Sequence, residues 1–264
     1  EVGANILNQL NPKGDIEEYK IIKVSLPFGQ NGISKSQDSF FVTLADGIYE
    51  VDTNNITKIL EINNPQNRCF FDSDSRLIFF VINNSVLAVD KKGSFTPISK
   101  RYPGHVRLFR DNEKIHLFSN GDDFSPLRQP VKIVEDVAGI QNEMIFDYPI
   151  SSCVDACFTG DNGCAIVGSS GLFFYQNMKL QWKIEVGNGA SVSFLNERIY
   201  FLGNGTSLKS IDLDGKNVRT ICEFNLQGSV GDFAIISKNE YIFHLCYREE
   251  DTTKTAVVYV KTTQ

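Results

Sequence analysis

Three histidines and six cysteines are the scarce reactive side chains of this 264-residue chain. His105, His116 and His244 are far apart, and no H-E-x-x-H pair occurs. Cys153 and Cys157 lie close together, but no second Cys or His pair completes a tetrahedral zinc site. Serines are many, yet none sits in a G-x-S-x-G elbow. Asp212-Leu213-Asp214-Gly215 begins like a calcium loop and lacks the remaining ligands and the terminal Glu. Gly187-Asn188-Gly189 and Gly203-Asn204-Gly205 open no helix, so neither cradles a phosphate. Hydrolase or oxidoreductase chemistry is not indicated, and neither a cofactor nor a metal is expected.

The cysteines have a second use. Six is an even number, compatible with three disulfides. Cys157 and Cys164 flank a polar turn, 158–163, and two strands meeting there would bring their side chains within bridging distance. Cys222 and Cys246 fall in neighbouring repeats and form a weaker candidate pair. Asn55, Asn83 and Asn204 each head an N-x-S/T sequon in an expected turn, where a glycan would stand clear of the fold. Glu1 in place of a starting methionine suits a processed form. A secreted, disulfide-bonded glycoprotein is the expectation.

The elements that must position any site come from a repeat. Arg198 to Leu202, a polar turn, Leu208 to Leu213, an Asp214-Gly215 turn and Val218 to Ile221 read as strand, turn, strand, turn, strand. Looser copies lie at 40–52, 76–90, 114–134, 164–175 and 240–260. The equivalent residues Asp52, Asp90, Lys132, Gln176, Asp212 and Val260 are 36 to 48 residues apart. One such unit cannot bury both its faces; stacked copies can. A further apolar run precedes most copies: 69–71, 106–109, 192–195 and 233–236. These runs predict the innermost strand of each unit. No window carries a helix-length 3.6-residue period, and 6–10 is expected to form one turn at most.

Six copies predict an all-β fold, a six-bladed β-propeller of four-stranded antiparallel blades in one domain, 1–264. The strand at 19–24 has no blade of its own. It is expected to complete the last blade beside 257–260, closing the ring and removing free sheet edges. Phe70, Phe71, Phe79, Phe80, Phe173 and Phe174 are expected to pack between blades. In such a ring the innermost strands line a central channel. Arg68, His105, Arg107, Tyr148, Asp155 and Asp232 lie at or just before those strands and are the candidate ligand-binding residues. Arginine there would pair with a carboxylate, and tyrosine would stack or hydrogen-bond.

The fifth copy, Ile199-Tyr200-Phe201-Leu202 with Ile211-Asp212-Leu213-Asp214-Gly215 and Arg219, resembles the repeat of extracellular six-bladed propellers of the low-density-lipoprotein-receptor type. That family normally reads Tyr-Trp-Thr-Asp, where this chain has Tyr200-Phe201-Leu202-Gly203. Size, repeat texture and expected compartment are also similar to those of insect haemolymph ommochrome-binding proteins. That second resemblance implies a carrier of a tryptophan-derived pigment.

The net charge is −6, with both signs mixed along the chain, which offers no basic face for nucleic acid. No run of 18 apolar residues is present to span a membrane. The expected function is therefore non-catalytic binding of a small aromatic or polar ligand by a secreted monomer. Two alternatives belong to other classes. One is a protein-interaction module using the propeller loops, 122–129 among them. The other is a lactonase-like hydrolase, which would need acidic side chains converging on a divalent metal, with Asp155 and Asp232 as its start.

Overall fold

The computed structural model describes residues 3–28, 32–36, 39–72, 76–83, 85–90, 93–97, 106–111, 114–119, 132–135, 142–145, 153–168, 171–187 and 191–263. Their strands fall into six small antiparallel sheets in a propeller-like arrangement. The first holds Gly32–Ser36, Ser39–Leu44, Gly47–Val51 and Ile56–Glu61, and the second Gln66–Asp72, Leu77–Ile82, Ser85–Asp90 and Phe95–Pro97. The third holds Val106–Asp111, Lys114–Ser119, Lys132–Glu135 and Asn142–Ile145. The fourth holds Cys153–Gly160, Gly163–Gly168, Gly171–Gln176 and Lys179–Ile184. The fifth contains Val192–Leu195, Arg198–Gly203, Ser207–Asp212 and Arg219–Phe224. The sixth contains Ser229–Ser237, Glu240–Glu249 and Thr252–Thr262, with Ile16–Leu26 antiparallel to the last of these.

Local sequence explains the hairpins. Strand segments are rich in Val, Ile, Phe and Tyr, which suit a pleated, packed surface. Asp161-Asn162, Asn177-Met178 and Asn196-Glu197 each connect two strands in two residues, both with φ between 45° and 62°. That left-handed pair matches the twist of the strands it joins, and after glycine it is Asn and Asp that adopt it at the least cost.

The core lies between sheets. Phe41, Ile48, Ile78 and Phe80 pack the first sheet on the second, and Phe174, Val192, Ile199 and Phe201 pack the fourth on the fifth. Tyr200, Phe224, Phe233, Tyr241 and Phe243 fill the space between the fifth and sixth. Phe70, Phe79, Phe80, Phe173 and Phe174 are buried, as expected from their runs, and Phe71 is half-buried. The first strand of each sheet touches the first strand of the next, and Ser229–Ser237 of the sixth touches Gly32–Ser36 of the first. The chain's single tryptophan, Trp182, is on the edge strand of the fourth sheet. It stacks on Phe174 with ring centres 5.4 Å apart and donates its indole N–H to the carbonyl of Leu213, 2.8 Å away, beside the fifth sheet.

Three expectations are corrected. The N-terminal segment forms a helix of seven residues, Ala4–Leu10, rather than one turn. Ile6 and Leu10 are buried on it, and tertiary burial sustains a helix too short to stand alone. Pro12–Gly14 then adds a fifth strand to the edge of the fifth sheet, which no periodicity in three residues can announce. Lastly, the expected disulfides do not form. Cys157 lies opposite Ala165, and Cys164 opposite Phe158. This one-residue offset turns the two thiols to opposite faces of the sheet. Cys222 and Cys246 are both free, buried thiols in different sheets. Burial pushes the Cys222 thiol up to about 12. The sequon residues Asn55, Asn83 and Asn204 are all exposed in turns.

Candidate functional site

The first strands carry an ionic cluster at the centre of the ring. Arg68, from the second sheet, is 7 % exposed; Asp155, Ser191 and Asp232 are fully buried. The guanidinium grips Asp232 with two parallel bonds, Nε to Oδ2 at 2.9 Å and Nη2 to Oδ1 at 2.7 Å. Nη2 also lies 3.1 Å from Asp155 Oδ2 and donates to Ser191 Oγ. The Ser191 hydroxyl has one proton, and Asp232 Oδ1 is a far nearer acceptor than Asp155 Oδ2 at 3.3 Å. Backbone N–H groups complete the arrangement. Ile33 donates to Asp232 Oδ2 at 3.0 Å, Phe233 to Asp232 Oδ1 at 2.8 Å and Val192 to Asp155 Oδ2 at 2.9 Å. One cluster thus ties the first, second, fourth and sixth sheets to the entry of the fifth. Burial opposes the charge on Arg68, but Asp155 and Asp232 outweigh it and hold its pKa above the ordinary arginine value.

Arg68, Asp155 and Asp232 are thereby brought together, but in pairing with one another rather than as a row of open ligand contacts. The backbone of Arg107 lies in Val106–Asp111, opposite Phe118; its side chain is outside the described residues. His105, Tyr148 and the 122–129 loop are also outside them.

Beside the cluster is a cavity of about 230 Å³. Arg68, Phe70, Phe194 and Ile235 line it, together with Lys35 and Cys157. Burial pushes the Cys157 thiol well above the usual range, which keeps it protonated and a poor nucleophile. Lys35, Ser191 and Phe194 were not legible as site residues. Lys35 lies in a strand outside the recognised runs, Phe194 is an apolar member of the expected innermost strand at 192–195, and Ser191 precedes that strand in a plain Gly-Ala-Ser stretch.

His244 stands opposite Asp232 in the sixth sheet and is 1 % exposed. The strand beside it makes room with a glycine: a Cβ on Gly231 would come 2.5 Å from His244 Nδ1. Burial drives the imidazole pKa down from 6.5 to about 4, and the Asp232 charge opposes this only in part. Between those values the unfolded chain binds a proton that the folded chain refuses, so stability falls as pH falls from 6.5 towards 4. The expected loss from this residue is about 3 kcal/mol. Urea titrations at both pH values should show it, and His244→Gln should flatten that part of the profile. An unchanged slope in the variant would assign the loss to other groups.

A divalent ion at the centre would need carboxylate oxygens to spare. Asp232 accepts five bonds from Arg68, Ser191 and two backbone N–H groups, and the guanidinium stands between it and Asp155. A resident arginine cation fills the place where a metal would sit, so these residues do not fit one. Among the described residues no group of three His, Cys, Asp or Glu side chains is arranged around a metal position.

No sequence-family model and no curated protein matches the chain. Solved structures do. A gluconolactonase from Xanthomonas campestris aligns over 99 % of this chain and 93 % of its own, with a TM-score of 0.64 and 10 % identity. The WD40 β-propeller domain of Doa1 aligns over 94 % and 97 %, with a TM-score of 0.62 and 11 % identity. A Trichoderma reesei carbohydrate-active enzyme of family AA12 aligns over 95 % and 98 %, with a TM-score of 0.67 and 9 % identity. Likeness at such identities shows the propeller fold alone, since one propeller scaffold carries unrelated activities. Neither the low-density-lipoprotein-receptor type nor the ommochrome-binding proteins are shown by these matches.

Proposed function

We propose that the chain is a six-bladed propeller, one domain closed by Ile16–Leu26 as the outer strand of the last blade, that binds a small organic molecule in its axial cavity without transforming it. The observation that carries this reading is the division of labour at the axis. The ionisable groups at the centre are committed to one another, and a cavity lined by apolar side chains such as Phe70, Phe194 and Ile235 together with polar groups is left beside them. Apolar walls with a few convergent polar groups are what small-molecule sites are made of. The lactonase reading has the fold of the Xanthomonas enzyme in its favour, but the aspartates it would recruit for a metal are held by Arg68.

A secreted glycoprotein remains our expectation for the compartment, resting now on the three exposed sequons without the disulfides. One experiment addresses ligand and glycan together: native mass spectrometry of protein isolated from its source. The expected spectrum shows one small adduct per chain, lost on denaturation, and a mass drop after enzymatic release of N-glycans. A bare polypeptide carrying a stoichiometric protein partner would favour the interaction module instead.

A further inference from the structure

We infer that the axial cavity takes an organic anion, an aromatic carboxylate, with its oxygens on Arg68 and Lys35 and its apolar body against Phe70, Phe194 and Ile235. This rests on the proposal that the cavity binds a small molecule and adds the ligand's charge and shape.

Among the described residues lining the cavity, two are cations and none is a carboxylate; Asp155 and Asp232 lie behind Arg68 and not in the wall. Every hydrogen bond of Arg68 to the described residues uses Nε or Nη2. Nη1 carries two N–H groups with no acceptor among the described residues, on a side chain only 8 % exposed. Arg68 lines the cavity, where a ligand oxygen can take the place of water on these donors. Lys35 supplies the charge that Arg68, outnumbered by Asp155 and Asp232, cannot. Its ammonium donates one bond, to the carbonyl of Ile236 at 3.1 Å, and lies 5.8 Å from the centre of the Phe40 ring. It forms no ion pair among the described residues, and two of its hydrogens are left for a guest. A carboxylate between the two groups would accept charge-assisted bonds from both, whereas an ammonium guest would meet no carboxylate among the described lining residues, with the aspartates turned to Arg68. At about 230 Å³ the space is below the range of drug-sized sites, which limits the guest to one or two rings.

Isothermal titration of the full chain with 2-naphthoate, its neutral amide and 2-naphthylmethylammonium tests this. Naphthoate is expected to bind at least about tenfold more tightly than the amide, and the ammonium least, because a bond to a charged group exceeds a neutral one by a kcal/mol or more. Lys35→Met keeps the aliphatic stem at an exposed position and should lower naphthoate affinity about tenfold while sparing the amide. Equal or tighter binding of the amide or the ammonium would overturn the anion assignment and leave small-molecule binding standing. Naphthoate affinity unchanged by Lys35→Met would also overturn it. If none of the three probes binds, the assignment falls, and the mass-spectrometric adduct decides the broader proposal by itself.

Discussion

Removal of residues 1–26 is expected to yield a chain without a cooperative unfolding transition. The segment is wedged into two seams. Ile6 and Leu10 pack with Tyr200, Phe224 and Phe243 between the fifth and sixth sheets, and Leu26 packs with Ile33 and Val257 between the sixth and first. The Gln9 side chain adds polar ties, accepting from the backbone N–H of Gln227 at 3.0 Å and donating to the carbonyl of Arg248 at 3.4 Å. Burial of three aliphatic side chains contributes about 5–9 kcal/mol, comparable with the whole stability of an ordinary domain. Truncation would also strip the partner strand from Thr252–Thr262, whose residues 256–260 are buried. Urea titration followed by circular dichroism checks it: a midpoint equal to that of the intact chain would exclude closure by this segment.

Asp232→Ala should cost about 3–5 kcal/mol, the usual penalty for leaving one member of a buried ion pair without its partner. The loss extends beyond Arg68, because the N–H groups of Ile33 and Phe233 lose their acceptor as well. Replacing this pair together, as in Arg68→Met with Asp232→Leu, leaves Asp155 without its cation yet should cost less than the sum of the two single changes. A coupling of about 2 kcal/mol or more in the thermodynamic cycle is expected. Additive effects would mean that the two side chains act separately on stability, contrary to the geometry.

The repeat at 198–221 announced the sheets because its strand–turn–strand rhythm is a local property of the chain. The first strands at 69–71, 192–195 and 233–236 were legible for the same reason. What they do together was not. That Arg68 meets Asp232 across 164 positions depends on ring geometry, and no local pattern distinguishes such a pair from solvated charges. Choosing Arg68, Asp155 and Asp232 as channel residues followed from their place at the strand entrances; their mutual pairing did not. The cysteine reading failed through register: residues flanking a hairpin turn appear opposed in sequence, and one position of slip separates Cys157 from Cys164. Pro12–Gly14 escaped notice because a three-residue strand has no period.

Trp182 gives the ring a built-in optical gauge. Its indole belongs to the fourth sheet, while its N–H is held by a carbonyl of the turn that ends the fifth sheet's third strand. No other tryptophan contributes to the emission. The wavelength of that emission therefore reports the wetness of one seam alone, whereas far-ultraviolet dichroism averages over all strands. In an all-or-none transition the two signals must coincide at every denaturant concentration. If the seam between the fourth and fifth sheets parts before the N-terminal segment releases its hold elsewhere, the fluorescence will shift first.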